Sequence, residues 1–464
     1  MDNFIKPALI DRGRIDLVDK VLIGCGAGFA GDRFDAAEAI LDAFEGERAP
    51  RYLMFECLGE RTLALAAAAR AADPAAGFSP YLDRYLAPIL ARAMAMGVRI
   101  VANLGAANPA GGAARVLALA AELGAPTPRV AWVEGDDLTA TMSDAAIRAA
   151  PRLDGAALID RPIRAANAYL GAAPVAEALA TGADVVLVGR TTDSALALGP
   201  LIREFGWSDL DRLAAGVICG HLLECGAQVT GAYFADPGFK DVADLAHVGF
   251  PIAEVASDGV FTVGKPDGTG GRVDRATVTE QLLYEMHDPA AYLTPDATVD
   301  VTDVQLIETA PDRVRVEGVR GRAPPETLKA TVCVDGGFLA EAEMSYAGPN
   351  AAARAELAAK IVEARMREAG IEARLGVDLL GAGGTFGRGV RRAPTRSEEV
   401  RLRLAMIADD RADAERLTEE LQALYCSGPA AGGGFRARVT SEIATGSILV
   451  PRGAARPVVR TLGR

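Results

Sequence analysis

Residues 24–33 read GCGAGFAGDR, directly after the apolar run VLI (21–23) and directly before FDAAEAILDAF (34–44), whose apolar residues recur at helical spacing. A short apolar run, a glycine turn and an amphipathic stretch make one strand–turn–helix unit, and the fold class depends on whether that unit repeats. RYLMFE (51–56), VRIVAN (98–103), RVAWVE (129–134) and ADVVLVG (183–189) are further runs rich in Val, Ile and Leu. Each is followed by a polar or glycine-bearing turn and a longer Ala/Leu segment such as AARVLALAAEL (113–123). Repeated units of this kind predict a largely parallel sheet covered on both faces. The expected fold is therefore α/β, a doubly wound, mainly parallel and Rossmann-like sheet, with a barrel as the second choice.

From about residue 300 the texture changes. TVDVTDVQLIE (298–308), DRVRVEGVRG (312–321), TLKATVCVDG (327–336) and FLAEAEMSY (338–346) alternate apolar and polar residues, which predicts an antiparallel sheet joined by short turns. NAAARAELAAKIVEARMREAG (350–370) reads as one helix ended by Gly370, and VRLRLAMIA (400–408), RADAERLTEELQALY (411–425) and FRARVTSEIA (435–444) as strand, helix and strand. Two domains are expected: 1–240, an α/β sheet domain carrying the site loops, and 241–464, a mixed α+β lobe.

Composition narrows the function classes. A chain of 464 residues that is half apolar and about a quarter charged is globular and long enough for more than one core. A net charge of −13 with no block of Lys or Arg argues against nucleic acid and anionic membranes, because both are recognised by neutralising phosphates. The N-terminus has no apolar signal core and no window supplies a membrane span, so a cytoplasmic protein is expected. Six cysteines without paired spacing indicate neither a disulfide framework nor a zinc ribbon.

In an open parallel sheet, ligands bind beyond the carboxyl ends of the strands. The five strand-end loops carry Arg33, Glu56, Glu60, Arg61, Asn103, Asn108, Glu134, Asp136, Asp137, Arg190 and Asp193, and the topology predicts that these converge. Any one of them alone reads more simply as a cap or turn residue. Gly26, Gly28 and Gly31 have the G-x-G-x-x-G spacing of a dinucleotide turn, with Glu56 about where a ribose-binding acid belongs. Against this, Asp32 and Asp35 form an N-cap pattern whose carboxylates compete for the amides a pyrophosphate needs.

His221, Glu224 and Cys225 fall at i, i+3 and i+4, on one face of a helix, so His221 oriented by Glu224 is a candidate base and Cys225 a candidate nucleophile. A buried, satisfied histidine is the structural alternative, and metal ligation by His221 and Cys225 with Asp136 or Asp137 a further one. The glycine loops at 264–272, 381–389 and 428–435 place Lys265, Gly268, Gly270, Arg272 and Arg388 where amides could form a nest for a phosphate-bearing ligand such as coenzyme A.

Taken in order, IGCGAGFAGDR, YLMFECLGERTL, GVRIVANLGAANP, VEGDDL, GADVVLVGRTTDSALALGPLIREFGW, GHLLECGAQVTGAYFADP, KPDGTGGRV, YAGPN and LYCSGPAAGGG resemble the acyclic terpene utilisation proteins of the AtuA type over nearly the whole chain. The resemblance implies bacterial breakdown of citronellol- and geraniol-like terpenes through branched acyl-CoA esters. One role proposed for the family is cleavage of 3-hydroxy-3-isohexenylglutaryl-CoA to acetate and a 3-oxoacyl-CoA. The family has no agreed catalytic residues to carry over. Many members also hold a small ferredoxin-like domain after the region seen here, which implies that this segment is either absent or supplied by a separate small ferredoxin-like subunit as a partner.

The resulting expectation is a lyase or hydratase acting on a branched hydroxyacyl-CoA or related carboxylate. His221 with Glu224 would be the base, Arg33 and Arg190 would grip the carboxylate, and Asn103 and Asn108 would bond the enolate oxygen. Asp136 and Asp137 would supply an acid or a Mg²⁺ perch. The alternatives are an NAD(P)-dependent oxidoreductase using the opening turn and a non-catalytic acyl-CoA-binding subunit. A homo-oligomer is expected by analogy with metabolic enzymes of this size.

Overall fold

The structure is a computed structural model that describes residues 18–154, 161–382 and 399–463. Contacts divide the chain into two units, one running to Cys333 and resuming at Thr445, the other Val334–Ala444. Residue 240, where texture placed a boundary, lies inside the first.

The strands of the first half are β1 (Lys20–Ala27), β2 (Arg51–Phe55), β3 (Arg99–Ala102), β4 (Val130–Glu134), β5 (Ile163–Ala168) and β6 (Val185–Val188). The next group is β7 (Ile252–Ala256), β8 (Phe261–Gly264), β9 (Tyr292–Leu293), β10 (Thr298–Asp300), β11 (Gln305–Ala310), β12 (Arg313–Glu317) and β13 (Arg320–Arg322). The chain then forms β14 (Thr327–Ala347), β15 (Leu375–Leu380), β16 (Glu399–Ala408), β17 (Gly432–Pro451) and β18 (Val458–Leu462).

The five apolar runs that open the sequence form β1, β2, β3, β6 and β4, in that spatial order and all parallel. Their residues are buried on both faces, as a parallel block covered by helices requires. On one face Leu22, Leu53, Ile100 and Leu187 pack with Ile40, Leu41, Leu90 and Val116 of the helices Ala36–Ala43, Leu90–Met96 and Pro109–Glu122. Alternation along each strand sends Ile23, Met54, Val101 and Val186, also buried, to the other face. The large sheet is mixed beyond this block. Antiparallel β7, β8, β12 and β11 extend it past β1, and antiparallel β18 extends it past β4. β1 therefore has a parallel neighbour on one side only.

The antiparallel texture after residue 300 is present but differently partitioned. TVDVTDVQLIE is split between β10, in a three-stranded sheet with β9 and β13, and β11, at the edge of the large sheet. The hairpin expected between TLKATVCVDG and FLAEAEMSY does not form, and both belong to the single strand β14. Gly337, at φ 81°, absorbs a local irregularity there instead of closing a turn. In the second unit the order β15-β16-β14-β17, with helices Ala351–Glu368 and Arg411–Ser427, is the βαββαβ arrangement of a split βαβ pair. Its core joins Met344, Tyr346, Leu402 and Leu404 to Ala355, Val362, Leu417 and Leu421.

Candidate active site at the strand ends

The loops after β2, β3 and β6 meet. Glu56 is buried, and its Oε1 accepts from Asn103 Nδ2 and from the Leu58 amide, each at 2.9 Å. Asn103 in turn accepts the Cys57 amide through Oδ1 at 2.7 Å. Arg190, 1% exposed, donates to the carbonyl of Leu58, to the carbonyl of Thr191 (2.8 Å from Nε) and to Asp193. Its backbone N–H reaches Asp136 Oδ2 at 2.9 Å, an oxygen that also accepts from Asn167 Nδ2. The Arg190 guanidinium thus joins its own loop to the one after β2, its backbone reaches the loop after β4, and it stacks over Tyr169, 4.4 Å from its ring centre. A cation so enclosed has no donor directed to a substrate, so its expected grip on a substrate carboxylate is replaced by a loop-bracing role.

Asp193 differs from its partner: its side chain keeps 36% of its surface exposed while that of Arg190 keeps 2%. Burial among protein groups lifts Glu56 above the usual carboxylate range, with Arg190 opposing the lift and Glu224 adding to it. Asp193 is held up by the same burial, against Arg190 and with the charges of Glu56 and Glu224. Glu56, Asp193 and Glu224 are therefore near enough for their charges to act on one another.

His221 and Glu224 belong to the last turn of the helix Leu210–Glu224. His221 is buried, with Nδ1 3.1 Å from Glu224 Oε1 and Nε2 3.2 Å from the carbonyl of Leu282. A carbonyl can only accept, so Nε2 carries a hydrogen and Nδ1 shares its proton with Glu224. Burial works against the imidazolium, but the hydrogen bond and charge of Glu224 and the Leu282 carbonyl outweigh it and raise the His221 pKa. Both ring nitrogens are spent. These two contacts stand against the expectation that His221 takes a proton from substrate and make it a clamp on Glu224. Cys225 is also corrected as a nucleophile, because burial pushes its thiol up to about 12, with Glu224 adding to the effect.

The other sequence candidates lie apart from this cluster or serve the backbone. In the opening turn the Asp32 carboxylate accepts the amides of Gly28 (2.9 Å) and Arg33 (2.7 Å), so it occupies the donors that a pyrophosphate would need. A Cβ on Gly28 would stand 2.3 Å from the Cys225 carbonyl carbon, and one on Gly26 would meet the Phe55 ring at 2.5 Å. These two glycines thus admit protein, and Gly31, at φ 93°, supplies a left-handed turn. Asp35 precedes the helix Ala36–Ala43 without capping it through its side chain, and pairs with Arg33 at 2.8 Å. Arg33 also donates to the Ala246 carbonyl.

Asn108 caps the helix Pro109–Glu122 through the Gly111 amide and spends its amide hydrogens on the carbonyls of Pro74 and Ala76. Asp137 accepts from the Thr139 amide and hydroxyl. Among the described residues no group of three or more His, Cys, Asp or Glu side chains could hold a metal ion. Lys265 is buried, pairs with Asp312 at 3.1 Å and donates to the Thr269 carbonyl, while the Gly270 amide goes to the His247 carbonyl. Gly268, at φ 76°, has open space where a Cβ would stand, so of that loop it is Gly268 that is unobstructed. Arg388 lies outside the described residues.

Three participants carry no sequence signal. Tyr169 donates to Glu60 at 2.5 Å, and Lys329 stands over the Tyr169 ring at 4.8 Å and 3.3 Å from Glu60. Burial would raise Glu60, but Tyr169, its own amide, Lys329 and Arg190 overcome that and hold it at about 2. Tyr292 packs against His221 with ring centres 5.4 Å apart.

Against known proteins, the family described as "Acyclic terpene utilisation family protein AtuA" matches residues 21–461. No curated protein matches. Among solved structures, the de novo designed protein Foldit4 is similar at 14% identity and a TM-score of 0.17, over 23% of this chain and 97% of that one. Among the described residues no helix is long and apolar enough to cross a membrane.

Proposed function

Because the chain belongs to the AtuA family and so has a role in acyclic terpene utilisation, we propose that it is a catabolic lyase or hydratase for a branched hydroxyacyl-CoA or related carboxylate. The observation that carries this reading is the Glu224–His221 pair beside Glu56: two carboxyl groups in different environments, one clamped by an imidazole and one buried and lifted.

In carbon–carbon cleavage of a 3-hydroxyacyl thioester, Glu224 takes the hydroxyl proton as that oxygen forms a carbonyl. The pair of the breaking C2–C3 bond moves to C2 and the thioester oxygen, and Glu56 returns a proton to C2. Water elimination uses the same groups, with Glu224 on the C2 proton and Glu56 on the departing hydroxyl. Lys329, with 42% of its side chain exposed beside Glu60, is an accessible cation for a substrate carboxylate now that Arg190 is seen to be sealed.

The test is turnover of a panel of branched 3-hydroxyacyl-CoA thioesters. E224Q should lower kcat by at least about 100-fold, the scale of general acid–base assistance. H221N should lower it less and displace the pH profile. Undiminished turnover in E224Q would sink the assignment.

A further inference from the structure

Two helix ends meet at His221. The last carbonyls of a helix have no partner within it and must be met from outside. In the helix Leu210–Glu224 the Cys225 amide turns to the Leu223 carbonyl and leaves that of His221 unmet. In the helix Arg275–Leu283 the Met286 amide turns to the Leu283 carbonyl, at 3.2 Å, and leaves that of Leu282 unmet. The two remaining carbonyls are answered crosswise. Gln281 Nε2 donates to the His221 carbonyl at 3.1 Å, and His221 Nε2 donates to the Leu282 carbonyl at 3.2 Å. Each helix thus caps the other, through side chains that are both buried. The far end of the second helix is fixed as well, because Asp274 accepts the amides of Ala276 and Thr277 and its own amide donates to the Thr277 hydroxyl.

The imidazole lies among negative groups. Helix carbonyl ends carry partial negative charge. Glu224, on the same helix, holds Nδ1, and Glu285, past the end of the facing helix, adds its charge. Tyr292 on β9 packs against the ring, while Asp193 and Glu56, from the loops after β6 and β2, act with Glu224. With an acceptor at each nitrogen, the doubly protonated ring is the state that satisfies both contacts. Gln281 Oε1, in contrast, is buried without a hydrogen-bond partner. A methionine would fill a similar volume without leaving a buried acceptor unmet, so packing alone does not call for glutamine here.

We propose that Gln281 is a positioning residue: its bond to the His221 carbonyl sets the register of the two helix ends, keeps the Leu282 carbonyl on Nε2, and so holds His221 as an imidazolium that fixes Glu224. The link to turnover rests on the reading of Glu224 as the base, whereas the state of the ring does not.

The experiment is NMR of the imidazole nitrogens in the full-length protein with ¹⁵N-labelled histidine. At pH 7 the wild-type His221 ring should show both nitrogens protonated, with a slowly exchanging Nε2–H. Q281M loses the donor, and Q281N holds it one methylene short. Each should make that proton exchange rapidly and lower the His221 midpoint by about one unit, the scale of taking a helix C-terminus away from a partly buried imidazolium. With the branched 3-hydroxyacyl-CoA panel, both variants should lower kcat at least tenfold with little change in KM and displace the pH profile. If E224Q keeps full turnover while the ring signals respond to Q281M as described, the base assignment falls and the positioning of the ring stands. A wild-type ring with an unprotonated Nε2 at pH 7 would overturn the proposal, whatever the variants do. So would a midpoint and an Nε2–H exchange rate unchanged in whichever of the two variants gives a cooperative thermal melt.

Discussion

His221 Nδ1 lies 3.1 Å from Glu224 Oε1 while the same ring is held by the Leu282 carbonyl at 3.2 Å, so the imidazole is a clamp with no free nitrogen. The folded pKa of His221 is raised. The pair therefore contributes stability that is present below the unfolded value of about 6.5 and is lost as pH rises through the folded value. NMR titration should place His221 above the unfolded value of about 6.5, and E224Q should bring it down. The gap in melting temperature between wild type and E224Q should narrow toward pH 9. A His221 titration unmoved by E224Q would show that the pair does not exist.

A second titration concerns Asp296. Its Oδ1 accepts the Ala172 amide at 2.9 Å, its Oδ2 is buried without a partner, and burial lifts it to about 6 against the pull of Arg452. A raised carboxyl favours folding below the unfolded value near 3.9 and loses that contribution as pH rises through about 6. D296N should stabilise the protein by roughly 1–3 kcal/mol at pH 7.5 and leave it nearly unchanged at pH 4. Chemical denaturation at the two pH values reads the difference directly.

Gly28 offers a steric test of the opening turn. Alanine there would press into the Cys225–Gly226 backbone, at 2.3 and 2.4 Å, and backbone cannot rotate away. G28A should cost about 3 kcal/mol or more, at the upper end of overpacking, whereas G433A, with nothing within 4 Å, should be close to neutral. Comparable melting curves for the two variants would mean that the turn is not packed on the helix end.

Arg190 and Arg33 looked alike in sequence, and their surroundings separate them. R190K keeps the charge but loses the fork that reaches Leu58, Thr191 and Asp193 at once, and should cost about 3 kcal/mol, the scale of breaking a buried ion pair. R33A removes a pair with the exposed Asp35 and should cost no more than about 1 kcal/mol. Urea unfolding of both variants checks the order.

Much of this was legible because apolar runs and strand-end loops are local patterns. Val185–Val188 and Arg51–Phe55 announce themselves by residue type, and the strand-end rule brings Glu56, Asn103, Arg190 and Asp193 together without any contact being known. What escaped depended on backbone groups or distant chain. Nothing in the letters around His221 says that the Leu282 carbonyl will take Nε2, or that the space beside Gly28 belongs to Cys225 and Gly226. Glycines at 336 and 337 are as much at home in a long strand as in a hairpin, so β14 could not be told from two strands by pattern. Tyr169 and Lys329 meet over one aromatic ring from far apart in the chain, which periodicity does not encode.

The close approach of Gly336 to Glu442 and Ala444, where a Cβ would fall 2.8 Å from the Glu442 carbonyl carbon, brings the outgoing and returning strands of the second unit side by side. In chain-engineering terms that unit is a cassette with a single doorway. A polypeptide in which a tight turn joins the two strands at that doorway, omitting what lies between, should still melt cooperatively. If it does, the βαββαβ unit is an addition to an already complete folded body; if the shortened chain fails to fold, the two must be inherited together.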